Sequence, residues 1–173
     1  MKWWLSHRCD PKARELADRH YSRQSIGAVG FVPPGRCLVL VTKPTDAYWV
    51  TSYPYADFVR HEWAGAFMCS AYRNEGGSQL SSEAIRYAVA CTLWRWQAPP
   101  LGMVTFVDPS KVAGFMRRTP AGAVLEWGYS FQKAGFRYCG WTKGGLFALR
   151  LAPEDMPEPM APRQHSDNQM LLF

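Results

Sequence analysis

The stretch that most constrains the fold is residues 66–96, where an apolar run, a glycine turn and a helical pattern follow one another. Residues 66–72 form an apolar run of strand length, and residues 73–78 (RNEGGS) contain two adjacent glycines that allow positive φ angles. Ser81-Ser82-Glu83 has the hydroxyl and the carboxylate that are typical of a helix start. Apolar residues then recur every three or four positions as far as Trp96. The stretch therefore predicts a strand, a turn and an amphipathic helix.

A glycine turn that leads into a helix N-terminus is a candidate anion site. The backbone N–H groups of residues 76–78 (Gly76, Gly77 and Ser78) and the helix dipole both favour a phosphate, and Ser81 lies beside them. Arg73 adds a guanidinium that suits bidentate contact with an anion. An ordinary loop between a strand and a helix has the same pattern without a ligand, so the sequence leaves both interpretations open.

Composition indicates a single globular domain in a reducing compartment. The chain has 173 residues, of which 47% are hydrophobic, and no run of eighteen apolar residues that would span a membrane. The N-terminus lacks the apolar segment of a signal peptide. Five cysteines are scattered without a CxxC pair, which favours reduced thiols and a cytoplasmic location.

Charge is uneven along the chain, whose net charge is +6. Residues 153–173 are Pro-rich and carry four carboxylates against Arg163 alone, so they are predicted to be a flexible tail on a basic body of residues 1–152. A basic body suits a polyanionic partner, although a basic protein with no nucleic-acid role has the same composition. The candidate phosphate contacts are Arg36, Lys43, Arg60, Arg117, Arg118 and Lys143.

The remaining patterns predict an alternating α/β fold, in the order β-α-β-β-β-α-β-α-β-β. Asp10 and Pro11 start a helix that runs from 12 to about 21 and ends on His20-Tyr21. A short helix is predicted at 110–118 and a longer one at 125–134, ended by Gly135. Strands are predicted at residues 2–7, 36–42, 47–52, 66–72, 102–107, 136–141 and 146–151.

Two motifs in this order resemble the GNAT-type acyltransferases over roughly residues 3–151. Residues 73–78 are similar to the pyrophosphate loop of that family, and residues 131–136 (FQKAGF) are similar to its Tyr-x-Lys-x-Gly-Phe helix ending. The resemblance implies a mixed central sheet flanked by helices and an acetyl-CoA or related acyl-CoA cofactor. Phe131 departs from the motif, because the Tyr found there in the family often protonates the departing CoA thiolate.

A narrower set of motifs resembles the Mom-type DNA-modification proteins of bacteriophages, an offshoot of the GNAT fold. The set comprises His20-Tyr21, residues 31–36 (FVPPGR), residues 73–75, Ser81-Ser82 and residues 107–109 (VDP). The family converts adenine in duplex DNA to an N6-carbamoylmethyl form that hides phage DNA from restriction enzymes. The resemblance therefore implies a double-stranded DNA substrate, an acyl donor, iron as a further cofactor, and the cytoplasm of a bacterial host.

The site residues implied by the resemblance all have structural alternatives. Asp108 suits a base toward the adenine amino group, a metal ligand or a turn cap. His20 and Tyr21 suit acid–base work, base stacking, iron ligation with Asp108, or plain packing. Arg73 and Ser82 suit a phosphate or an acyl carbonyl, or else a surface ion pair and a helix cap. Aromatic candidates for a flipped-base pocket are Trp49, Tyr53, Tyr55, Trp63 and Trp141.

Three functions are compatible with these residues. The first is transfer of an acyl-derived group to N6 of adenine in DNA. The second is an ordinary acetyl-CoA-dependent N-acetyltransferase for a small amine or protein, against which Phe131 argues mildly. The third is a non-catalytic DNA-binding protein, which predicts salt-sensitive binding and no product.

Overall fold

The computed structural model describes residues 2–32, 34–53, 62–77 and 79–164 as an α/β fold with one large sheet. The helices are α1 (Pro11–Asp18), α2 (Ser81–Arg95) and α3 (Tyr129–Lys133). The strands are β1 (Trp4–Ser6), β2 (Cys37–Val41), β3 (Ala47–Ser52), β4 (Phe67–Asn74), β5 (Met103–Val107), β6 (Phe115–Thr119), β7 (Gly122–Glu126), β8 (Arg137–Trp141) and β9 (Phe147–Leu151).

Among the described residues, seven strands form the main sheet in the order β1-β2-β3-β4-β5-β9-β8. All neighbours pair antiparallel except β4 and β5, which are parallel and are joined through α2. The predicted mixed sheet is therefore confirmed, and it is mostly antiparallel. Only α2 is long, so the structure does not show the two helical layers implied by the predicted flanking helices.

The strands alternate their side chains between two cores on opposite faces of the sheet. Leu38, Leu40 and Trp49 point to a larger core that includes α2 and α3 residues. Val39 and Tyr48 point to a smaller core that α1 covers. The near-continuous apolar sequence of β2 follows from this arrangement, because a strand that is covered on both faces has no polar side.

A buried hydrogen-bonded chain ties β3 to α2 through the larger core. Trp49 Nε1 donates to Thr51 Oγ1 at 2.7 Å, and the hydroxyls of Thr51 and Thr92 are 2.8 Å apart. Thr92 Oγ1 in turn donates to the Ala88 carbonyl at 3.0 Å. Each of these three side chains therefore has a hydrogen-bond partner inside the apolar layer.

The segment between β5 and α3 differs from its prediction. The short helix predicted at 110–118 is absent, because Phe115–Thr119 pairs with Gly122–Glu126 as a two-stranded hairpin. The helix predicted at 125–134 is wrong over its first half, since Leu125 belongs to β7 and only Tyr129–Lys133 is helical. Gly128 explains the break: it adopts a φ of 71°, a left-handed conformation that a continuous helix does not contain.

The described part of the tail is held against the body, contrary to the predicted flexible tail. Arg163 N–H donates to the Trp3 carbonyl and Leu5 N–H donates to the Arg163 carbonyl, both at 2.8 Å. Met160 N–H donates to the Ala90 carbonyl, in the second half of α2, at 3.0 Å. These bonds satisfy the outer edge of β1, which is the end strand of the sheet. The apolar sequence of residues 170–173 also predicts a segment that docks on the protein, and these residues lie outside the described ones.

We predict that Thr92→Val lowers the free energy of unfolding by about 1–3 kcal/mol, because it leaves the buried Thr51 hydroxyl without an acceptor. Urea unfolding of the whole chain measures this change. Thr119→Val is the matched control: its hydroxyl donates to Gly122 in an exposed turn, where water can replace the bond. An equal loss in both variants would contradict the assignment.

Candidate active site

The candidate site begins where the parallel strands β4 and β5 separate. Phe67 pairs with Met103, Met68 with Val104 and Cys69 with Thr105, and the pairing of the two strands ends there. Beyond this point β4 remains paired with β3 as far as Asn74, and β5 remains paired with β9 as far as Val107. The inner edges of the two strands are therefore free of each other, and a gap opens through the sheet.

Two cavities meet at this gap. A cavity of about 300 Å³ is lined by Tyr72, Val107 and residues 128–131 at the start of α3. A cavity of about 720 Å³ is lined by the end of α1, the loop that follows it, Tyr48 and Asp108. Both are bordered by the same residues at their junction: His20, Tyr21, Ser22, Cys69, Ser70, Ala71 and Phe106. We call them the small and the large cavity.

His20 and Tyr21 bridge the two separated strands. Their rings stack with centroids 4.5 Å apart. The ring of His20 makes a hydrogen bond with the backbone of Tyr72 in β4. The hydroxyl of Tyr21 donates to the Phe106 carbonyl of β5 at 3.5 Å and receives a bond from the backbone of Asp108. The two side chains thus hydrogen-bond to backbone groups of β4 and β5 beyond the point where these strands pair with each other.

The imidazole of His20 is held neutral. Burial, followed by the charge of Arg73, lowers its pKa to about 4. Nδ1 accepts the Ser22 N–H at 3.2 Å and lies 2.8 Å from the Ser22 hydroxyl. Because Nδ1 is an acceptor here, Nε2 carries the proton and serves the bond to Tyr72. The ring is therefore arranged as an oriented neutral donor rather than as a cation.

Tyr21 is also kept neutral, although 40% of the residue is exposed. Its hydroxyl end lies inward, and burial raises the pKa of the phenol above its usual value of about 10. The carboxylate of Asp108, two residues after Phe106, is exposed to the large cavity. Its Oδ1 accepts the hydroxyl of Ser110 at 2.7 Å and the Ser110 N–H at 2.8 Å, and these bonds lower the pKa of Asp108. Asp108 is therefore ionised, and it also caps the turn that follows β5.

Arg73 binds the backbone directly before the His20–Tyr21 pair. Its Nη1 donates to the Arg19 carbonyl, the last residue before His20, at 2.8 Å. Its Nε contacts Glu75 at 2.6 Å, and Arg19 grips the same carboxylate through two bonds of 2.8 and 2.9 Å. The two guanidinium groups hold the pKa of Glu75 at about 2. Arg73 thus fixes the end of α1 to β4, and it is placed with His20 rather than with the glycine turn.

One amide of the glycine turn is already hydrogen-bonded. Gly76 N–H donates to Asn74 Oδ1 at 3.0 Å, and a side chain at Gly76 would collide with the Asp46 carboxylate. Gly77 is exposed with nothing near its Cβ position, and Ser78 lies outside the described residues. The carboxylate beside Gly76 is unfavourable for a phosphate at that amide.

The start of α2 is the better match to an anionic carrier. Leu80, not a serine, is its N-cap, and no side chain of the described residues caps it. The N–H groups of Ser81 and Ser82 are first-turn donors, which an α-helix leaves unpaired. Ser81 Oγ accepts Asn74 Nδ2 at 3.3 Å, which draws the helix start toward the end of β4. The predicted cofactor residues Ser81 and Ser82 are therefore grouped here, half-buried.

The predicted iron ligands do not present three free donor atoms in this arrangement. His20 Nδ1 is engaged by Ser22 and its ring by Tyr72, while one oxygen of Asp108 is engaged by Ser110. Within the described residues, no group of three or more His, Cys, Asp or Glu side chains suits a metal ion. Iron stays a prediction from the resemblance.

The predicted DNA contacts are spread over the molecule. Arg36 precedes β2 and Lys43 follows it, so they lie at opposite ends of that strand, roughly 20 Å apart. Arg117 and Arg118 lie in the hairpin of β6 and β7, where Arg117 is paired with the buried Glu126 at 2.7 Å. Lys143 lies in the exposed turn between β8 and β9. Arg60 lies outside the described residues.

Tyr72 is a site residue that sequence reasoning missed. It lines the small cavity, its ring is 6.0 Å from that of Phe131, and its hydroxyl donates to the Ser81 carbonyl at 3.4 Å. Burial raises the pKa of its phenol. Sequence reasoning treated Tyr72 as the end of an apolar strand. The available signal was its place immediately before the RNEGGS turn.

Comparisons with known proteins identify no relative of this chain. No protein-family model matches the sequence, and no curated protein or solved structure is significantly similar to the chain. Within the described residues, no helix combines the length and the apolar character of a membrane span.

We predict that the ring of His20 titrates with a midpoint near 4, and that Arg73→Leu moves this midpoint upward because it removes the nearby positive charge. Proton–carbon NMR of the imidazole, assigned with a His20→Gln variant, measures both values. Arg86→Leu is the control: that arginine binds the Ala134 carbonyl instead. A wild-type midpoint near 6.5 would contradict the buried, neutral ring.

Proposed function

We propose that this protein is a GNAT-like transferase that attaches an acyl-derived group of the carbamoylmethyl type to N6 of adenine in DNA. The observation that carries the proposal is the junction of the two cavities at His20 and Tyr21. A transferase must bring a donor and an acceptor to one point from separate binding spaces. The GNAT resemblance over roughly residues 3–151 implies the acyl-CoA donor, and the narrower Mom-type motifs imply the adenine in DNA.

The large cavity suits the acceptor base. Its volume of about 720 Å³ is of the size of small-molecule sites. Its wall combines rings, such as those of Phe31 and Tyr48, with polar groups of residues 22–25. Extruding an adenine from duplex DNA costs a few kcal/mol, which stacking and hydrogen bonds inside such a pocket offset.

The small cavity suits the reactive end of the donor. It lies between Tyr72 and Phe131, next to the start of α2. A phosphate-bearing carrier would bind with its anionic part at the Ser81 and Ser82 amides. Its acyl end would then pass the Tyr72 hydroxyl and reach the junction at His20 and Tyr21.

The transfer forms one bond and breaks one. N6 of adenine attacks the donor carbon that is bonded to the carrier sulfur, the N6–carbon bond forms and the carbon–sulfur bond breaks. A thioester donor would leave an N6-acyl group by this step, whereas the carbamoylmethyl product needs a donor in which the sulfur-bound carbon is the CH2 of that group. The amine nitrogen becomes acidic once it has attacked, so an ionised carboxylate is a sufficient acceptor for its proton, and Asp108 at the large cavity supplies one. His20 and Tyr21, whose donors are bonded to the backbone of the two separated strands, shape the junction where the reacting groups meet.

The departing sulfur needs a proton that Phe131 cannot give. Tyr72 is beside Phe131 in the small cavity, and its phenol is protonated at neutral pH. We assign the acid role to Tyr72. Tyr72 of β4 thus supplies the hydroxyl that Phe131 lacks at the motif position.

We predict that DNA co-expressed with the wild-type protein contains a new deoxyadenosine mass, and that Asp108→Asn lowers its yield about 100-fold. The amide still accepts the Ser110 bonds, so the turn is kept while the base is lost. Nucleoside mass spectrometry measures the yield, and Asp155→Asn, in an exposed position near Arg137, is the control.

Other outcomes identify the other functions. Unmodified DNA together with acetyl-CoA turnover on amines would indicate an ordinary N-acetyltransferase. Unmodified DNA, no turnover and salt-sensitive DNA binding would indicate a non-catalytic DNA-binding protein.

We predict that Tyr72→Phe slows product formation by about 100-fold or more while the protein stays folded, because the sulfur then leaves without its proton donor. Tyr87→Phe, on α2 and outside the lining of both cavities, is the control. Single-turnover assays with a donor whose thiol is more acidic separate the role: such a donor should restore much of the rate of Tyr72→Phe. Failure of that rescue would assign Tyr72 a packing role.

A further inference from the structure

The edge strand β8 carries an exposed aromatic surface that the two cavities do not use. Trp127, Tyr138, Trp141 and Phe147 are in mutual contact, and we call them the aromatic face. Tyr138 stacks on Phe147 at 4.6 Å, while Trp141 meets Phe147 at 5.2 Å and Trp127 at 5.8 Å. Tyr138 is 45% exposed and Trp141 is 48% exposed, which is unusual for rings of this size.

A strand irregularity produces this surface. Residues three apart on a regular strand point to opposite faces, so Tyr138 and Trp141 should be separated by the sheet. The register between β8 and β9 shifts at Cys139, so Tyr138 is opposite Leu149 and Trp141 is opposite Phe147. Both rings therefore lie on one face, 6.5 Å apart. The bulge in β8 is therefore the reason that the two rings form one exposed surface.

The surroundings of the aromatic face are positively charged. Residues 127–147, which build it, contain Lys133, Arg137 and Lys143 and no Asp or Glu. All three cations are exposed. Arg137 directly precedes Tyr138 in β8 and therefore points to the opposite face of the sheet, where its guanidinium lies 3.9 Å from Asp155, so Lys133 and Lys143 are the cations that count for this surface. Exposed rings interleaved with cations are the pattern of surfaces that bind unpaired nucleic-acid strands, because bases stack on the rings while phosphates meet the cations.

The aromatic face lies beside the candidate active site. Phe147 pairs with Val107, the residue directly before Asp108. Gly128 and Tyr129, which follow Trp127, line the small cavity, and Leu146 lines the large one. A strand whose bases stack on Tyr138 and Trp141 would therefore run past the mouth of the site.

We propose that the aromatic face binds unpaired nucleotides of the DNA strand next to the target adenine. The inference rests on the DNA substrate of the proposed function and adds how the opened strand is held. Extrusion of a base leaves its neighbours unstacked, and stacking on Tyr138 and Trp141 restores part of what they lose. A second copy of the chain is disfavoured as the occupant, because a twofold contact would place these cations against themselves.

The test is fluorescence anisotropy of the full-length protein with a labelled 15-nucleotide single strand and with the same sequence as a duplex. Trp141→Ala should weaken single-strand binding about 5-fold to 100-fold and duplex binding less. Trp141→Phe should retain most of the affinity because it keeps a ring. Trp94→Ala is the matched control, since Trp94 is 38% exposed on α2 and should leave binding unchanged. Thermal melts confirm that each variant folds.

Several results would overturn the inference. They are the absence of single-strand binding by the wild-type chain, an unchanged affinity of Trp141→Ala, or an equal loss in Trp94→Ala. Displacement of the strand by free coenzyme A would assign the rings to the carrier instead. Sedimentation that shows a dimer which Trp141→Ala dissociates would assign them to self-association.

The same variants separate this inference from the proposed function. If Trp141→Ala loses single-strand binding but wild-type cells contain no modified deoxyadenosine, the aromatic face stands and the proposed reaction fails. If deoxyadenosine is modified equally in wild-type and Trp141→Ala cells and binding is unchanged, the reaction stands and the aromatic face fails.

Discussion

The early end of the parallel pairing between β4 and β5 is the constraint on which the site depends. Each strand keeps an antiparallel partner on its outer side, so the gap opens without loosening either strand. The inner edges then carry backbone groups that need partners. His20 satisfies one at Tyr72 and Tyr21 satisfies others at Phe106 and Asp108, and this places two polar rings where the cavities meet.

A second constraint is the fixation of α1 to β4. The helix is only eight residues long, so its own backbone bonds do not position its C-terminal end firmly. Arg73, Glu75 and Arg19 form a network that joins this end to the last residues of β4. The charged groups are partly exposed, so their ion pairs add little to the free energy of unfolding and mainly fix the position of the helix end. The positions of the His20 and Tyr21 rings therefore depend on this network.

Strong local patterns predicted most elements of the fold. Asp10 and Pro11 marked the start of α1, and the side chain of Asp10 does accept the N–H groups of Lys12 and Ala13. The apolar runs of β2, β4, β5 and β9 marked buried strands, because their residues lie in the two cores. The hairpin of β6 and β7 was missed since it lies outside the main sheet, and its exposed side chains give no alternation to read.

The site itself was only partly accessible from sequence. His20, Tyr21 and Asp108 were named from short motifs, and the structure places them around one junction. Arg73 was assigned to the glycine turn because the two are adjacent in sequence. Strand alternation instead directs its side chain to the face that α1 covers, together with its cross-strand neighbour Tyr48. Tyr72 points to the opposite face, so a single step along β4 separates the residue that fixes α1 from the residue that lines the small cavity.

The charge state of the junction fits a transfer between two neutral groups. Burial keeps His20 and Tyr21 uncharged, and the charged members of the site, Asp108 and Arg73, are placed on either side of them. Within this partly buried junction, hydrogen bonds to the backbone of the two strands hold both rings without introducing a charge. A histidinium at the same place would carry a desolvation penalty and would gain nothing from an uncharged amine. The low pKa of His20 is therefore part of the same arrangement that brings the two cavities together.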